Sequence, residues 1–463
     1  MVKVIGTYSV KKLLSGAARI YINNASQLRR IGFGAGARYS TDYSRYRVTL
    51  KLANLGDNGV MSTDRGELVE LKNKALSKSL KGLSTVRVTF EQGRIVISIL
   101  TGELKRLERE QSFLKAASNG TPFRTGSICS GLGMLAYQLK EGLSQQGIDS
   151  EIAFSNDINN LALSLQLEGN PIWEKPAIDA LAVAEDIRNL EPEDLRWTHI
   201  LEVGYPCVGQ STLCPKDRRD LKHPDVGTLF IPLVNAIKTI NPAIVIFENS
   251  VPFLKSETLD LMKRELKGYK FEETELVGYD HGDFEERKRA CIIAISEGLP
   301  DLCLSEFQAP DVVQRSPISS IMEDVPEDSK AWKDMFHVKK KVEDERLNFK
   351  HNVYYGTETK VAAITAGYAS PRIGSPMIEN AGNGKQRLFT TVEHARIRQI
   401  PGKLAKVLSS VTKGEHPLVS KRGNGSVVHR MLGNGISPKA WFNLFSFLGQ
   451  YINNLKKFAP LFV

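Results

Sequence analysis

The sequence lacks the features of a membrane protein and of a disulfide-rich secreted protein. No apolar run approaches the roughly 18 to 20 residues that span a bilayer, and the N-terminus has no compact apolar block with a small-residue cleavage site. The 5 cysteines form no CxxC pair, which argues against a disulfide framework and against a structural zinc site. We therefore expect a cytoplasmic protein that needs neither a membrane nor a metal.

The composition is that of a soluble globular protein with an uneven charge. Hydrophobic residues make up 41% and charged residues 25% of the 463 positions, enough for two or three domains with a large core. Residues 1–124 contain 22 Lys and Arg against 9 Asp and Glu, an excess of +13 in a chain whose net charge is +10. Such a segment is typical of a polyanion-binding module, and a solvated basic face is the alternative.

Period-two alternation predicts a small β-rich module over residues 1–118. The predicted strands cover residues 19–22, 46–50, 86–90 and 95–97, the last two forming a hairpin through Gln92-Gly93. A charged helical run at 103–115 follows. Residues 18–36 and 86–99 resemble AbrB-like swapped-hairpin DNA-binding modules, and this resemblance implies a dimer formed through the module.

Beyond Pro122 the pattern changes to strand, glycine turn and helix. The segment 127–134 reads SICSGLGM, and its two glycines allow a ligand to approach the backbone before a predicted helix at 135–143. A second strand ends at Asp157, where a carboxylate is typical of a ribose-binding site, although a helix N-cap is an equal alternative. Asp186 is a further acid at a strand end.

One cysteine stands out because a proline precedes it at the end of a strand. Tyr205-Pro206 favours extended backbone and directs Cys207 out of the strand that begins near His199. An exposed thiolate is the strongest nucleophile among ordinary side chains and suits attack on an electron-poor ring carbon. A small core hydrophobe is the alternative for this cysteine considered alone.

A glutamate follows a second apolar strand further along the chain. Glu248 comes directly after the apolar run 243–247, where it caps a helix or lies at the carboxyl edge of the sheet. A predicted strand pair, 271–277 and 290–295, encloses a charged segment, and regular alternation then stops between Leu299 and Gln386, as expected of an inserted domain. Helices are predicted at 391–399 and 438–452, with a glycine-rich strand and turn at 427–435 between them.

In this order the motifs resemble the DNA (cytosine-5) methyltransferase family over residues 127–452. The matching segments are SGLG, YPCVGQS, FENS, EERKR at 285–289, the stretch 387–401, and LGNGI at 432–436. The resemblance implies an α/β fold with a Rossmann-like, S-adenosylmethionine-dependent methyltransferase domain. That domain would comprise residues 121–298 and 387–463, with residues 299–386 as a target-recognition domain.

The resemblance also implies roles for individual residues. Cys207 would be the nucleophile, Glu248 would share a proton with ring nitrogen 3, and Arg287 and Arg289 would hold the base carbonyl, the carboxylate or a phosphate. The implied S-adenosylmethionine site comprises Ser130, Gly131, Leu132, Gly133, Asp157, Ile158, Asp186, Ile187, Pro206, Leu229, Asn434 and Ile436.

The implied activity is that of EC class 2.1.1.37, methylation of carbon 5 of a flipped-out cytosine in a specific duplex DNA sequence through a covalent cysteine adduct. Implied partners are double-stranded DNA and a restriction endonuclease, in a bacterial or phage-encoded system, with a monomeric catalytic domain. A tRNA cytosine-5 methyltransferase and a non-catalytic DNA-binding regulator are the alternatives. Departures from the family pattern are Asp157, Val208, Ser250 and Glu285, of which Val208 and Glu285 are expected to face DNA.

Overall fold

The computed structural model describes residues 3–347 and 351–457. Residues 1–2, 348–350 and 458–463, which fall within the predicted domains, lie outside the described part. The chain divides into two compact units, and the division falls between Leu107 and Glu108. No described helix is both long enough and apolar enough to cross a bilayer.

The first unit is rich in β-structure. Its elements are β1 (Val4–Ser9), β2 (Lys11–Lys12), β3 (Ala18–Ile22), α1 (Ala25–Arg30), β4 (Arg38–Ser44), β5 (Arg47–Leu52), β6 (Asn58–Gly59), β7 (Met61–Thr63), β8 (Gly66–Asn73), α2 (Lys74–Ser79), β9 (Thr85–Glu91), β10 (Arg94–Ser98) and the start of α3 (Thr101–Asn119).

These strands form a six-stranded sheet in the order β1-β9-β10-β5-β4-β6 and a four-stranded sheet in the order β2-β3-β8-β7. The predicted strands and the hairpin at Gln92-Gly93 are confirmed, since β9 and β10 pair antiparallel. The two stretches compared with AbrB-like modules lie in different sheets, because β3 pairs with β8 while β9 pairs with β1 and β10. Each finds its partner strands within the same chain.

The division between the units falls inside α3, earlier than residue 118. The first half of α3 contributes Leu104 to the core of the first unit. The second half contributes Phe113 to the core of the second unit, and Arg109 there donates a hydrogen bond to the Ser296 hydroxyl at 2.8 Å. The sequence of α3 has one continuous helical pattern, so it does not indicate that the two halves of the helix pack in different cores.

The second unit begins with alternating strands and helices. These are β11 (Phe123–Ile128), α4 (Met134–Gln145), β12 (Ser150–Asn156), α5 (Asn160–Gly169), β13 (Leu181–Val183), β14 (Ile200–Gly204), α6 (Phe230–Ile240), β15 (Ile244–Asn249), α7 (Glu257–Glu265), β16 (Tyr269–Val277) and β17 (Lys288–Ser296). They are followed by α8 (Phe336–Val342), β18 (Val353–Tyr354), β19 (Met377–Glu379), β20 (Gln386–Leu388), α9 (Thr391–Ile397), α10 (Gly402–Lys413), α11 (Gly425–Asn434) and α12 (Pro438–Leu455).

A seven-stranded sheet organises this unit, in the order β13-β12-β11-β14-β15-β17-β16. The first five strands in that order are parallel, and β17 runs antiparallel to both of its neighbours. Alternate residues of β15 face opposite cores: Ile244 and Ile246 pack in the core that includes α4 and α12, whereas Val245 and Phe247 pack with α6 and α7. The predicted α/β class with a Rossmann-like sheet is confirmed.

The segment between β17 and α9 has little regular structure but its own packed core. β18, β19 and β20 form a three-stranded sheet, and Ile318, Tyr354, Ile364 and Tyr368 are buried together with Ile397 of α9. The segment is therefore a packed module rather than a loop.

The strand predicted at 427–435 is wrong, because α11 occupies this stretch. Val428 and Leu432 are buried on the same side of α11 at helical spacing. Gly433 lies so close to the segment above it that an added Cβ would be 2.4 Å from the Thr365 carbonyl. Gly433 therefore permits close packing of the helix, and Gly435 directly follows the helix end.

A buried ion pair joins β20 to α9. Both guanidinium Nη atoms of Arg387 donate to the Glu393 carboxylate, at 2.7 and 2.8 Å, and both side chains are almost completely buried. Glu393 also accepts the backbone N–H groups of Thr390 and Glu323.

We expect Glu393→Gln to lower the free energy of unfolding by about 3 kcal/mol, because it leaves the Arg387 charge buried without its partner. Urea denaturation of the full chain measures the change. The matched control is Glu265→Gln, which breaks an exposed pair with Lys238 and should leave the unfolding curve unchanged. Equal effects of the two substitutions would contradict a stabilising role for the buried pair.

Candidate active site

The carboxyl ends of four neighbouring parallel strands surround one cavity of about 550 Å³. β11 ends before the glycine turn, β12 ends before Asp157, β14 ends before Cys207, and β15 carries Glu248 near its end. Parallel strands present their carboxyl ends at one edge of the sheet, which is where α/β enzymes bind their ligands. The site thus follows directly from the strand order.

The glycine turn after β11 has two glycines with different tasks. Gly131 has a φ of +55°, and an added Cβ would meet nothing within 4 Å, so the backbone here is open to a ligand. Gly133 has a φ of +70°, and an added Cβ would lie 2.7 Å from Gln166 and 2.9 Å from Asn170. Gly133 does not line the cavity; it is required for packing of the turn against α5.

Two carboxylates stand beside this turn. Asp157 accepts the Gly131 N–H at 2.7 Å and the Asn159 N–H at 2.8 Å, and burial raises the pKa of its carboxyl despite these bonds. Asp186 accepts the Arg188 N–H and pairs with the Arg188 guanidinium at 2.7 Å. Each carboxylate oxygen can accept more than one hydrogen bond, so both groups can still bind ligand hydroxyl or amino groups.

The cysteine loop is held by contacts on both sides of Cys207. The Cys207 carbonyl accepts the N–H groups of Gln210 and Ser211 at 2.9 Å. Before the cysteine, the Tyr205 ring stacks on Phe253 and the Tyr205 carbonyl accepts a hydrogen bond from the Asn249 side chain at 3.2 Å. Asn249 follows Glu248 directly, so the strand that presents the glutamate also anchors the loop that presents the thiol.

Glu248 is paired with an arginine and buried. Arg289 Nε lies 2.7 Å from Glu248 Oε1, and the glutamate is 8% exposed. Burial raises the pKa of the Glu248 carboxyl, while Arg289 and Arg398 oppose the shift. Burial, followed by the neighbouring Glu248 charge, also raises the pKa of the Cys207 thiol, with Arg289 acting in the opposite direction.

Arg287 and Glu285 have a different environment. The Arg287 guanidinium donates to the backbone carbonyls of Gly433 at 2.8 Å and Ile364 at 3.3 Å. Glu285 pairs with Arg398 at 2.8 Å and accepts the Ile364 N–H at 2.6 Å. The expectation that Glu285 faces DNA is wrong: the side chain is 2% exposed, because its charge completes a buried pair instead of meeting solvent. Val208, by contrast, is 54% exposed.

Most of the predicted site residues meet in the cavity. Besides Cys207 and Glu248, its wall includes Ser130, Gly131, Leu132, Asp157, Ile158, Asp186, Ile187, Pro206, Leu229, Asn434 and Ile436. Arg289 reaches the wall through Glu248, whereas Gly133 and Arg287 support neighbouring backbone.

Three residues that matter to the site were not predicted. Asn249 belongs to the FENS motif, but nothing in the sequence indicates that it anchors the cysteine loop. Arg398 lines the cavity although its motif gives no sign of it. Glu202 also lines the cavity, and a signal existed for it: a glutamate interrupts the apolar residues of β14.

The cavity fits S-adenosylmethionine in several respects. The open backbone at Gly131 can be approached closely, Asp157 and Asp186 can accept from hydroxyl and amino groups, and apolar side chains such as Leu229 and Ile436 cover the other walls. Among the described residues, no group of three or more His, Cys, Asp or Glu side chains could hold a metal ion. The fold and this cavity define a Rossmann-like, S-adenosylmethionine-dependent methyltransferase.

Comparison with known proteins narrows the class further. The model of the family described as C-5 cytosine-specific DNA methylase matches residues 123–450, and the chain belongs to this family. No curated protein sequence matches the chain significantly.

Two solved structures with TM-scores above 0.5 share the fold at low sequence identity, and a third structure is similar at a lower score. The Dnmt2 methyltransferase of S. pombe has 18% identity and a TM-score of 0.54, covering 72% of this chain and 99% of its own. The methyltransferase EhMeth of Entamoeba histolytica has 14% identity and a TM-score of 0.51, covering 72% and 98%. A DNA modification methyltransferase encoded within a prophage of E. coli has 15% identity and a TM-score of 0.47, covering 72% and 99%.

The raised pKa of Cys207 predicts how the thiol reacts in the free protein. Only the thiolate is alkylated, so the rate of Cys207 alkylation by iodoacetamide should still be rising at about pH 9. Glu248→Gln should move this rise to lower pH, because it removes a negative charge beside the thiol.

Mass spectrometry of the peptide that contains Cys207 measures this reaction, with the exposed Cys303 as an internal reference for the reagent. A rate that levels off near neutral pH, or a pH profile that Glu248→Gln leaves unchanged, would show that burial and Glu248 do not control this thiol.

Proposed function

We propose that this protein is a DNA (cytosine-5) methyltransferase of EC class 2.1.1.37, acting through a covalent cysteine adduct on a flipped-out cytosine. The observation that carries the proposal is that Cys207 and Glu248 line the same cavity as the open glycine turn. A nucleophile, a carboxyl of raised pKa and a cofactor cradle are thereby available to one bound base. The runner-up, a tRNA substrate, uses the same chemistry and is an outcome of the test below.

The two side chains have complementary tasks in this mechanism. Carbon 5 of cytosine is a poor nucleophile, and addition of the Cys207 thiolate to carbon 6 makes it an enamine carbon that can attack an electrophile. The addition moves negative charge toward ring nitrogen 3, where a proton shared with Glu248 offsets it. The bound cofactor supplies the electrophilic methyl group. Loss of the carbon-5 proton then allows the thiolate to leave.

The raised pKa of Glu248 supports its task, whereas the raised pKa of Cys207 adds a deprotonation step. A carboxyl whose pKa is raised by burial holds a proton more readily than a surface glutamate, which suits hydrogen bonding to ring nitrogen 3. Arg289 keeps the carboxyl in place through its Nε atom. Burial favours the neutral Cys207 thiol while the site is free, so the thiol must pass its proton to solvent before the thiolate adds to carbon 6.

Access for a base and recognition of its neighbours involve other parts of the second unit. A cytosine within a duplex must leave the stack to reach a buried thiol, and Val208, beside Cys207, is at the exposed side of the site. Residues 299–386 act as the target-recognition domain in this proposal. Their packed core and their contacts with Glu285 and Arg287 support a rigid module beside the site that supplies base contacts.

The test is transfer of a labelled methyl group from S-adenosylmethionine to duplex DNA and to tRNA, followed by bisulfite sequencing of the product. We expect methylation of cytosine in DNA. Cys207→Ala should reduce turnover to below about 1% because the covalent step is lost. Cys303→Ala is the matched control, since Cys303 does not line the cavity.

Duplexes with 5-fluorocytosine at the target position should trap the wild-type protein covalently, because fluorine cannot leave carbon 5 as a proton does. Methylation of tRNA alone would replace the proposed substrate. An active Cys207→Ala variant would refute the nucleophile.

The first unit is proposed to bind DNA phosphates. Residues 1–107 contain 19 Lys and Arg and only 7 Asp and Glu, so local ion pairs cannot neutralise most of the positive charge. Lys11, Lys12 and Arg30 are among the exposed basic residues. Phosphate contacts from such residues strengthen binding to any DNA sequence and weaken with salt.

A variant that lacks residues 1–107 tests this role. It retains Phe113 and Arg109 of α3, which pack in the second unit, and should still methylate short duplexes. Each lost phosphate contact should reduce the slope of log K against log salt by about 0.9, as measured by fluorescence anisotropy between low and physiological salt. An unchanged slope would show that the basic residues of the first unit form a solvated surface and do not contact DNA phosphates.

A further inference from the structure

Glu202 is a buried carboxyl in the cavity for which the proposed mechanism has no use. It lies in β14, between Ser127 of β11 and Ile246 of β15, and it is 1% exposed. The Ser127 hydroxyl beside it is the one polar side chain that stabilises its charged form, and neither side chain has another hydrogen-bond partner within the described residues. A buried carboxyl in this state costs free energy, which a ligand can offset.

The arginines around the cavity are already engaged by other carboxylates. Arg289 pairs with Glu248, Arg398 with Glu285, and Arg188 with Asp186. A purely structural role at the Glu202 position would be better served by an apolar side chain of similar size. The Glu202 carboxyl is therefore available to bind a positively charged group of a ligand, because the described residues themselves supply none.

The cavity as a whole carries an excess of acidic side chains. Two arginines line it, Arg188 and Arg398, and no described lysine does. The acidic side chains in its wall are Asp157, Glu185, Asp186, Glu202, Asp225 and Glu248. This distribution is complementary to a positively charged ligand.

The position of Glu202 indicates which part of a bound ligand it would contact. Ser127 lies on β11, which leads to the glycine turn, and Glu202 lies opposite it on β14, which leads to Cys207; Glu202 lines the same cavity as the turn and the thiol. Methyl transfer from a cofactor at the turn to a base at Cys207 would take place within this cavity. In S-adenosylmethionine the transferred methyl is carried by a sulfonium, which has a positive charge.

We propose that Glu202 recognises the positive charge of the methyl donor, losing its proton to solvent when the donor binds. The proposal deepens the proposed function, since it concerns the cofactor half of the same site. S-adenosylhomocysteine, which has no methyl group and a neutral sulfur, offers Glu202 no such charge. Glu202 is thus a specificity residue that favours the donor over the spent cofactor.

The charge state of the free site supports this role. Burial raises the pKa of Glu202 to about 8, opposed by the Ser127 hydroxyl and reinforced by the Glu248 charge. The other titratable groups in the wall near it are Cys129, Cys207 and Asp157, and the helices above contribute apolar side chains such as Met134 and Leu432. At neutral pH the free carboxyl is mostly protonated, and an adjacent cation lowers its pKa so that the proton is released.

Isothermal titration calorimetry of the full chain tests the proposal without nucleic acid. S-adenosylmethionine and S-adenosylhomocysteine are titrated near pH 7 in phosphate and in Tris, whose ionisation enthalpies differ, and the difference reports the protons released. We expect the donor to release up to about one proton more than S-adenosylhomocysteine does. Donor affinity should rise by up to about tenfold per pH unit below about pH 8 and level off above it, because the carboxyl is then already ionised.

Two variants assign the proton to Glu202. Glu202→Gln should abolish the difference in proton release and lower the preference for donor over S-adenosylhomocysteine by about tenfold, the effect of one charge-assisted contact. Glu248→Gln should reduce the difference in proton release only in part, because burial is the larger cause of the raised Glu202 pKa and the Glu248 charge the smaller one. Circular dichroism of both variants verifies folding.

Equal proton release by the two ligands in the wild-type protein would overturn the proposal, whether or not the variants fold. Loss of the difference in Glu248→Gln instead of Glu202→Gln would assign the role to Glu248 and refute it equally. Because no DNA is present, either result leaves the proposed methylation of DNA untouched. Absence of DNA methylation alongside the expected proton release would, conversely, overturn only the proposed function.

Discussion

The site depends on the register of the parallel strands in the central sheet. Gly204 at the end of β14 lies opposite Glu248 on β15, and Ile128 at the end of β11 lies opposite both Asn156 and Val203. The strands therefore end level with each other, so the loops that follow them face one cavity. A shift of one residue in any of these strands would also exchange the two cores, because alternate side chains face opposite sides of the sheet. The hydrophobic cores and the active site thus enforce the same register.

Buried charges connect segments of the second unit that are far apart in the sequence or lie outside this sheet. Arg287 binds two backbone carbonyls, Glu285 pairs with Arg398, and Arg387 pairs with Glu393. Other placements of these segments are unfavourable, because each would leave an unpaired charge in the interior. These buried charges therefore stabilise the packing of the segment between β17 and α9 and of the C-terminal helices.

Burial favours the protonated form of three ionisable side chains in the cavity. Burial raises the pKa values of Cys207, Glu202 and Glu248 alike, so each group is shifted toward its protonated form. In such surroundings a ligand that brings charge has a large effect on the protonation of its neighbours. A charged ligand in this cavity can consequently change the protonation of a neighbouring carboxyl or thiol.

The order of motifs was enough to determine the fold class, the family and the cofactor, because strand, glycine turn, helix and the Pro-Cys loop are local patterns with few structural solutions. The confirmed strands β9, β10, β16 and β17 were predictable for the same reason. Tertiary structure alone decided the rest. Gly133 serves packing against α5, residues 425–434 form a helix because their buried side requires helical spacing, and Glu285 is buried because Arg398 reaches it from a distant segment. Glu202 is a candidate ligand-binding residue because the arginines around the cavity pair with other carboxylates. The physical reason is common to these cases: burial and pairing depend on contacts between residues far apart in the chain, which local sequence patterns do not encode.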